Sequence, residues 1–133
     1  MFGKTKQPPI KSLIAQGTRI QGDLQFADGL RIDGEVGGNI RAVDGQSSLL
    51  ILSEVASVTG SVEADHVIIN GHVKGPVLAR ELLELQPKAH IEGDVTYRSI
   101  EMHQGARISG QLRPVAADGS VEMPTLKLAA NNR

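Results

Sequence analysis

The sequence predicts an all-β fold: one parallel β-solenoid of about six coils, flanked by two tails. Three observations carry this. One phrase, aliphatic–any–Gly–any–aliphatic, occurs six times: Ile20-Gln21-Gly22-Asp23-Leu24, Ile32-Asp33-Gly34-Glu35-Val36, Val58-Thr59-Gly60-Ser61-Val62, Ile69-Asn70-Gly71-His72-Val73, Ile91-Glu92-Gly93-Asp94-Val95 and Ile108-Ser109-Gly110-Gln111-Leu112. Such repetition marks stacked copies of one structural unit. Around the glycines, apolar and polar residues alternate, the period-2 pattern of strands with one buried face. The third observation is register. Leu83, Leu85, Ala89, Ile91, Gly93 and Val95 match Ile100, Met102, Ala106, Ile108, Gly110 and Leu112 at an offset of 17. They match Leu50, Leu52, Ala56, Val58, Gly60 and Val62 at an offset of 33, two periods. Such a coil holds about three short strands, and six coils about 4.8 Å apart make a rod of roughly 25–30 Å. Parallel pairing between coils satisfies the backbone.

The coils follow in order along the chain. Thr18, Ile20, Gly22 and Leu24 open the first. Leu30, Ile32, Val36, Gly38 and Ile40 make the second, followed by an insertion at Asp44-Gly45-Gln46-Ser47-Ser48. Its Asp-Gly pair is a strong turn signal. The third begins at Leu50-Ile51-Leu52. Val67-Ile68-Ile69, Val73, Gly75 and Val77 make a fourth, about two residues short. The fifth and sixth are the pair matched at 17. Gly recurs where the chain must turn or two backbones approach closely. One stretch competes with this reading: residues 77–85 contain good helix formers and are compatible with a helix of about two turns. The register runs through them without a gap and favours strand. Pro76 cannot donate a ladder hydrogen bond and is expected at a corner of the short coil. Residues 1–12, with Pro8-Pro9 and scattered Lys, and residues 113–133, with Pro114, Pro124 and Asn131-Asn132, break the pattern. Both are expected to be flexible tails, which leaves 13–112 as the coil domain.

Composition narrows the function. The chain has 133 residues, enough for one domain, and a formal net charge of −1. Residues 1–16 carry +3 and residues 113–133 carry +1, so the body carries −5. An acidic body argues against nucleic acid as a partner. The only aromatics, Phe2, Phe26 and Tyr97, offer no stacking platform for bases. The interior must therefore be built from Val, Ile, Leu and Ala. With no Cys there are no disulfides and no thiolate metal sites, which fits a reducing compartment. No apolar run approaches the roughly 20 residues of a membrane span. No signal-peptide apolar region is present, so a cytoplasmic location is expected.

No catalytic set is legible. His66, His72, His90 and His103 are expected at outward or corner positions. By the 17 and 33 offsets, His90 stacks near Arg107 and Ser57 and not near another His. No metal site is expected, because one needs several ligands converging on one ion. Glu92 and Asp94 point outward, and Ser109, Gln111, Thr59 and Ser61 share their columns, so no second carboxylate completes an acid–base pair. Nucleophile elbow, Walker loop, dinucleotide fingerprint and the calcium-binding nonapeptide repeat are all missing. No cofactor and no nucleotide is expected.

The repeated phrase, the coil of about 17 residues, the opening Gly17-Thr18-Arg19-Ile20-Gln21-Gly22, the Pro-containing tails and the start Met1-Phe2-Gly3-Lys4 together resemble the bactofilin family. The resemblance covers residues 13–112; the tails match in character only. It implies a right-handed parallel β-helix that polymerises end to end without nucleotide. It further implies a bacterial cytoskeletal scaffold at the inner face of the cytoplasmic membrane, tied to cell shape and local cell-wall synthesis. Cell-wall enzymes or other membrane proteins are then the implied partners, beside further copies of the chain itself.

The residues give that implication a physical route. A solenoid exposes an unpaired strand edge and an aliphatic layer at each end unless a cap covers them. The expected interface at the N-terminal end is Leu13, Ile14, Ile20, Leu24 and Phe26; at the C-terminal end it is Tyr97, Ile100, Met102, Ile108 and Leu112. The alternative is that the tails fold back and cap the ends. Met1, Phe2, Lys4 and Lys6 join an apolar tip to cations, the make-up of a weak membrane-targeting segment that many copies in a polymer would strengthen. Taken alone, the same residues also fit a solvated start. Three other functions compete. A polysaccharide-acting right-handed β-helix would be much longer, with wide coils and clustered acids or bases. A hexapeptide-repeat acyltransferase would need strict six-residue spacing, which offsets of 17 and 33 break. A non-polymerising binding rod would keep the same coils and differ in its ends.

Overall fold

The computed structural model describes residues 8–115. Every regular element among them is a strand, and no helix is long and apolar enough to cross a membrane. Six coils follow one another. The first holds β1 (Ile10–Ile14), β2 (Arg19–Gln21) and β3 (Leu24–Phe26); the second holds β4 (Gly29–Ile32), β5 (Glu35–Gly37) and β6 (Ile40–Ala42). β7 (Leu49–Leu52), β8 (Ser57–Thr59) and the start of β9 (Val62–Ile69) make the third. The fourth runs from the end of β9 through β10 (His72–Lys74) into β11 (Val77–Leu85). The fifth runs from the end of β11 through β12 (His90–Glu92) into β13 (Val95–Met102). The sixth takes the rest of β13, then β14 (Arg107–Ser109) and β15 (Leu112–Pro114).

All pairing is parallel and runs from coil to coil. The first face stacks β1, β4, β7 and the later halves of β9, β11 and β13. β2, β5, β8, β10, β12 and β14 form the second face, and β3, β6, the earlier halves of β9, β11 and β13, and β15 form the third. Each inward position thereby becomes a column. Ile20, Val36, Val58, Val73, Ile91 and Ile108 form one, with steps of 16, 22, 15, 18 and 17 residues. Ile14, Ile32, Leu52, Ile69, Leu85 and Met102 form a second; Leu24, Ile40, Val62, Val77, Val95 and Leu112 form a third. The core is built from these columns and their inward neighbours, such as Leu30, Leu50, Val67 and Leu83, buried through the middle coils. The long step of 22 contains the expected insertion. Residues 77–85 form strand, so the column demand overrides their helix propensity. Paired strand also reaches beyond 13–112, to Ile10 at one end and Pro114 at the other.

The six Gly phrases prove to be of two kinds. Four coils turn from the first face to the second through a wide corner closed by a β-turn bond. Thr18, Ala56, Ala89 and Ala106 donate to Ala15, Ser53, Gln86 and His103 at 3.0, 3.0, 2.9 and 3.2 Å. The second and fourth coils make a tight corner instead, around Gly34 and Gly71. A Cβ on Gly34 would lie 2.4 Å from the Thr18 carbonyl oxygen, and one on Gly71 would lie 2.4 Å from that of Ser53. Each tight corner thus nests inside the wide corner of the coil before it. The tight corner at Gly71 is why the fourth coil is short.

The remaining phrases share a different corner, between the second and third faces. Gly22, Gly38, Gly60, Gly75, Gly93 and Gly110 stack there, one per coil. A Cβ on any of the last five would stand 2.0–2.5 Å from the carbonyl oxygen of the glycine before it. The next residue tightens the corner: Asp23, Asn39 and Asp94 accept the backbone N–H of Asn39, Ser61 and Gln111 at 2.9, 3.0 and 3.0 Å. Pro76 takes the corresponding place in the fourth coil, so its missing N–H falls at the corner the sequence indicated.

Candidate assembly interfaces

β1, β2 and β3 are edge strands at one end of the stack, and the last part of β13 with β14 and β15 forms the edge at the other. The columns end there too. Leu85 is 0% exposed, but Met102, its neighbour in the same column, is 48% exposed. Val95 is 0% exposed and its neighbour Leu112 is 41%. Ile100 and Ile108 are partly buried against the core. These four side chains point along with the core layers, and among the described residues no seventh layer covers them.

The N-terminal end differs. Ile14 and Phe26 are buried, and Ile20 and Leu24 are partly buried. Leu13 pairs with Arg31 in the outward column that continues through Ile51 and Ile68, and it is 58% exposed. Leu13 therefore belongs to the outer side of β1 and not to the end layer; alternation along the strand puts Ser12 and Ile14 inward. Tyr97 lies one coil in from the C-terminal end, paired with Pro114 in the column Phe26, Ala42, Ala64, Ala79, Tyr97, Pro114. Met1, Phe2, Lys4 and Lys6 fall outside the described residues.

Burial pushes the Tyr97 hydroxyl above its ordinary value. The folded chain holds the neutral phenol, so this stability is present below pH 10.0 and is lost as pH rises through the folded value. Tyr97 is the only tyrosine and there is no Trp, so ultraviolet titration reads it alone. The phenolate is expected above pH 10.0 in the folded chain and near 10.0 in denaturant, with Tyr97→Phe flattening the alkaline loss of stability. Equal midpoints in both states would refute the burial.

On the outer faces, the structure corrects two expectations about histidine. His90 pairs with His72, not with Ser57: His72 lies between them in the short fourth coil. The two rings stack in parallel, centroids 4.8 Å apart. His72 Nε2 also lies 2.6 Å from a Glu92 carboxylate oxygen. That hydrogen bond, helped by Lys74 and both imidazoles, holds the Glu92 carboxyl below its usual range. His66, expected outside, is half-buried, with Nδ1 enclosed and unpartnered. It lines a cleft of about 500 Å³ with the insertion residues 44–47, Asp65, Arg80 and Glu81.

The cleft rests on a network that sequence reasoning missed. Ser48 donates its backbone N–H to Asp65 at 3.1 Å, and its hydroxyl oxygen accepts the Asp65 backbone N–H at 2.9 Å. Arg80 donates to Asp65 at 2.8 Å and to Glu63 at 2.7 Å. These bonds tie the insertion to two coils.

A family model described as bactofilin, polymer-forming cytoskeletal, matches residues 12–113. No curated protein and no solved structure matches the chain.

Proposed function

The chain belongs to the bactofilin family of polymer-forming cytoskeletal proteins, and on that premise we propose that it assembles end to end into filaments without nucleotide. One observation carries the reading: core columns buried at Leu85 and Val95 continue into exposed Met102 and Leu112. A second copy stacked on that end would cover these side chains and give β14 and β15, the edge strands among the described residues, a neighbour. Burying several aliphatic side chains at about 1.5–3 kcal/mol each offsets the cost of association. The test is a negative-stain micrograph of the purified full chain without nucleotide. Filaments are expected; discrete particles at every concentration would overturn the proposal.

The filament would act as a cytoplasmic scaffold at the inner membrane, recruiting proteins that shape the cell and its wall. Family membership and the residues Met1, Phe2, Lys4 and Lys6 support this part. Each Lys near an anionic surface contributes about 1 kcal/mol, so a single chain binds weakly and a polymer binds by avidity. Co-sedimentation with vesicles containing anionic lipid is expected, and loss of most binding when Phe2→Ala is combined with Lys4→Gln and Lys6→Gln. Undiminished binding by that variant would remove this segment from the mechanism.

A further inference from the structure

We propose that His72, His90 and Glu92 form a surface site for one divalent transition-metal ion of the zinc type, joining the fourth and fifth coils on the second face. The backbone fixes the three positions. His72 faces His90 across parallel strands, and Glu92 stands two residues along from His90 on the same side of β12. Each offers one ligand atom, and these atoms all lie within 4.8 Å of one another.

Tetrahedral zinc at bonds of about 2.0–2.2 Å wants ligand atoms roughly 3.3–3.5 Å apart. His72 Nε2 and the Glu92 oxygen are already closer, at 2.6 Å, and would open slightly as a metal replaced the shared proton. The wider separations must close by up to about 1.4 Å to meet that geometry. The two imidazole planes are parallel in the stack, so one ring must turn out of it for both nitrogens to meet at the ion. The side chains of His72 and Glu92 are 39% and 41% exposed and can rotate without disturbing the core. Two imidazoles with one carboxylate favour zinc-like ions over calcium or magnesium, which take oxygen ligands. The remaining coordination position faces solvent. Lys74 pairs in register with Glu92 and opposes the cation, so the ion must out-compete that ammonium for the carboxylate.

A second group, Glu84, Glu101 and His103, serves as the control. It has one imidazole and two carboxylates, and so lacks the paired nitrogens. The experiment is equilibrium dialysis of the full chain against Zn²⁺ alone at neutral pH, with the melting temperature followed in parallel. Saturable binding of one Zn²⁺ per chain and a metal-dependent rise in melting temperature are expected. His72→Ala and His90→Ala should each weaken binding by about tenfold or more, and Glu92→Gln should weaken it while leaving the surface shape intact. His103→Ala should change neither readout. Binding that survives both histidine substitutions, or is lost in His103→Ala, or does not saturate at one per chain, would overturn the assignment.

Discussion

Replacing Gly60 with Ala is expected to remove roughly 3–5 kcal/mol of folding stability, enough to unfold much of a marginally stable domain. Two separate costs meet at this position. The new Cβ would stand 2.1 Å from the Gly38 carbonyl oxygen, and that oxygen is fixed because it belongs to the backbone of the adjacent coil. The chain also turns there with φ +148°, a region that side chains with a Cβ rarely adopt. The glycine column supplies its own controls. Gly22 has φ +130° but nothing within 4 Å of the place a Cβ would take, so Gly22→Ala isolates the backbone cost of about 1–3 kcal/mol. Gly38 lies outside the left-handed region, and its Cβ would stand 2.1 Å from the Gly22 oxygen, so Gly38→Ala isolates the collision. Gly37→Ala meets only the movable Gln21 side chain at 3.2 Å and should cost about 0.5 kcal/mol or less. Chemical denaturation of the four variants checks the order Gly60, then Gly38 and Gly22, then Gly37. Equal stability of Gly60→Ala and Gly37→Ala would show that the coils do not approach as closely as the column requires.

Much of this fold is legible in the sequence because each coil repeats the same demand. Ile91 and Ile108, or Val95 and Leu112, must cover one another, so the offset of 17 appears in the residues themselves. The insertion at 44–48 is legible because it interrupts that demand. What was hidden depends on the corners. The phrases around Gly34 and Gly71 look like those around Gly60 and Gly93, but they serve a different turn. Only the backbone shows which carbonyl each glycine meets. The tight corner at Gly71 also explains the missed histidine pair. Extrapolating 33 residues back from His90 lands on Ser57 and steps over the fourth coil, where His72 sits between the two. The bonds among Ser48, Asp65 and Arg80 were hidden for another reason. They lie at an insertion and a corner, where no periodic pattern constrains residue choice. At the ends, the column positions of Met102 and Leu112 follow from the offset of 17. The outward side of Leu13 and the inner coil of Tyr97 do not, because counting apolar residues ignores which side of a strand, and which coil, they occupy.

Leu112→Arg is expected to convert filaments into small soluble species while leaving the subunit folded. Leu112 is already 41% exposed in the single chain, so an Arg there can extend into water and costs the isolated subunit little. In an end-to-end stack the same position would lie beneath the next coil, where Val95 and Val77 lie in their own layers at 0% and 1% exposure. The variant would lose about 1.5–3 kcal/mol of apolar burial and would also have to desolvate an unpaired guanidinium, at several kcal/mol more. At 1.4 kcal/mol per factor of ten, the concentration needed for assembly should rise by about 10³-fold or more. Leu112→Ala removes the burial without adding the charge, and should raise it by roughly 10–100-fold. Met102→Arg should reproduce the Arg result from a different face of the same end. Val55→Arg tests whether any exposed aliphatic would do. Val55 is 49% exposed in the turn between β7 and β8, on the side of the rod, and its replacement should leave assembly unchanged. Sedimentation across a concentration series, with circular dichroism to verify the fold, separates these outcomes. Filaments that persist in both Leu112→Arg and Met102→Arg would place the contacts between subunits somewhere other than the open C-terminal coil.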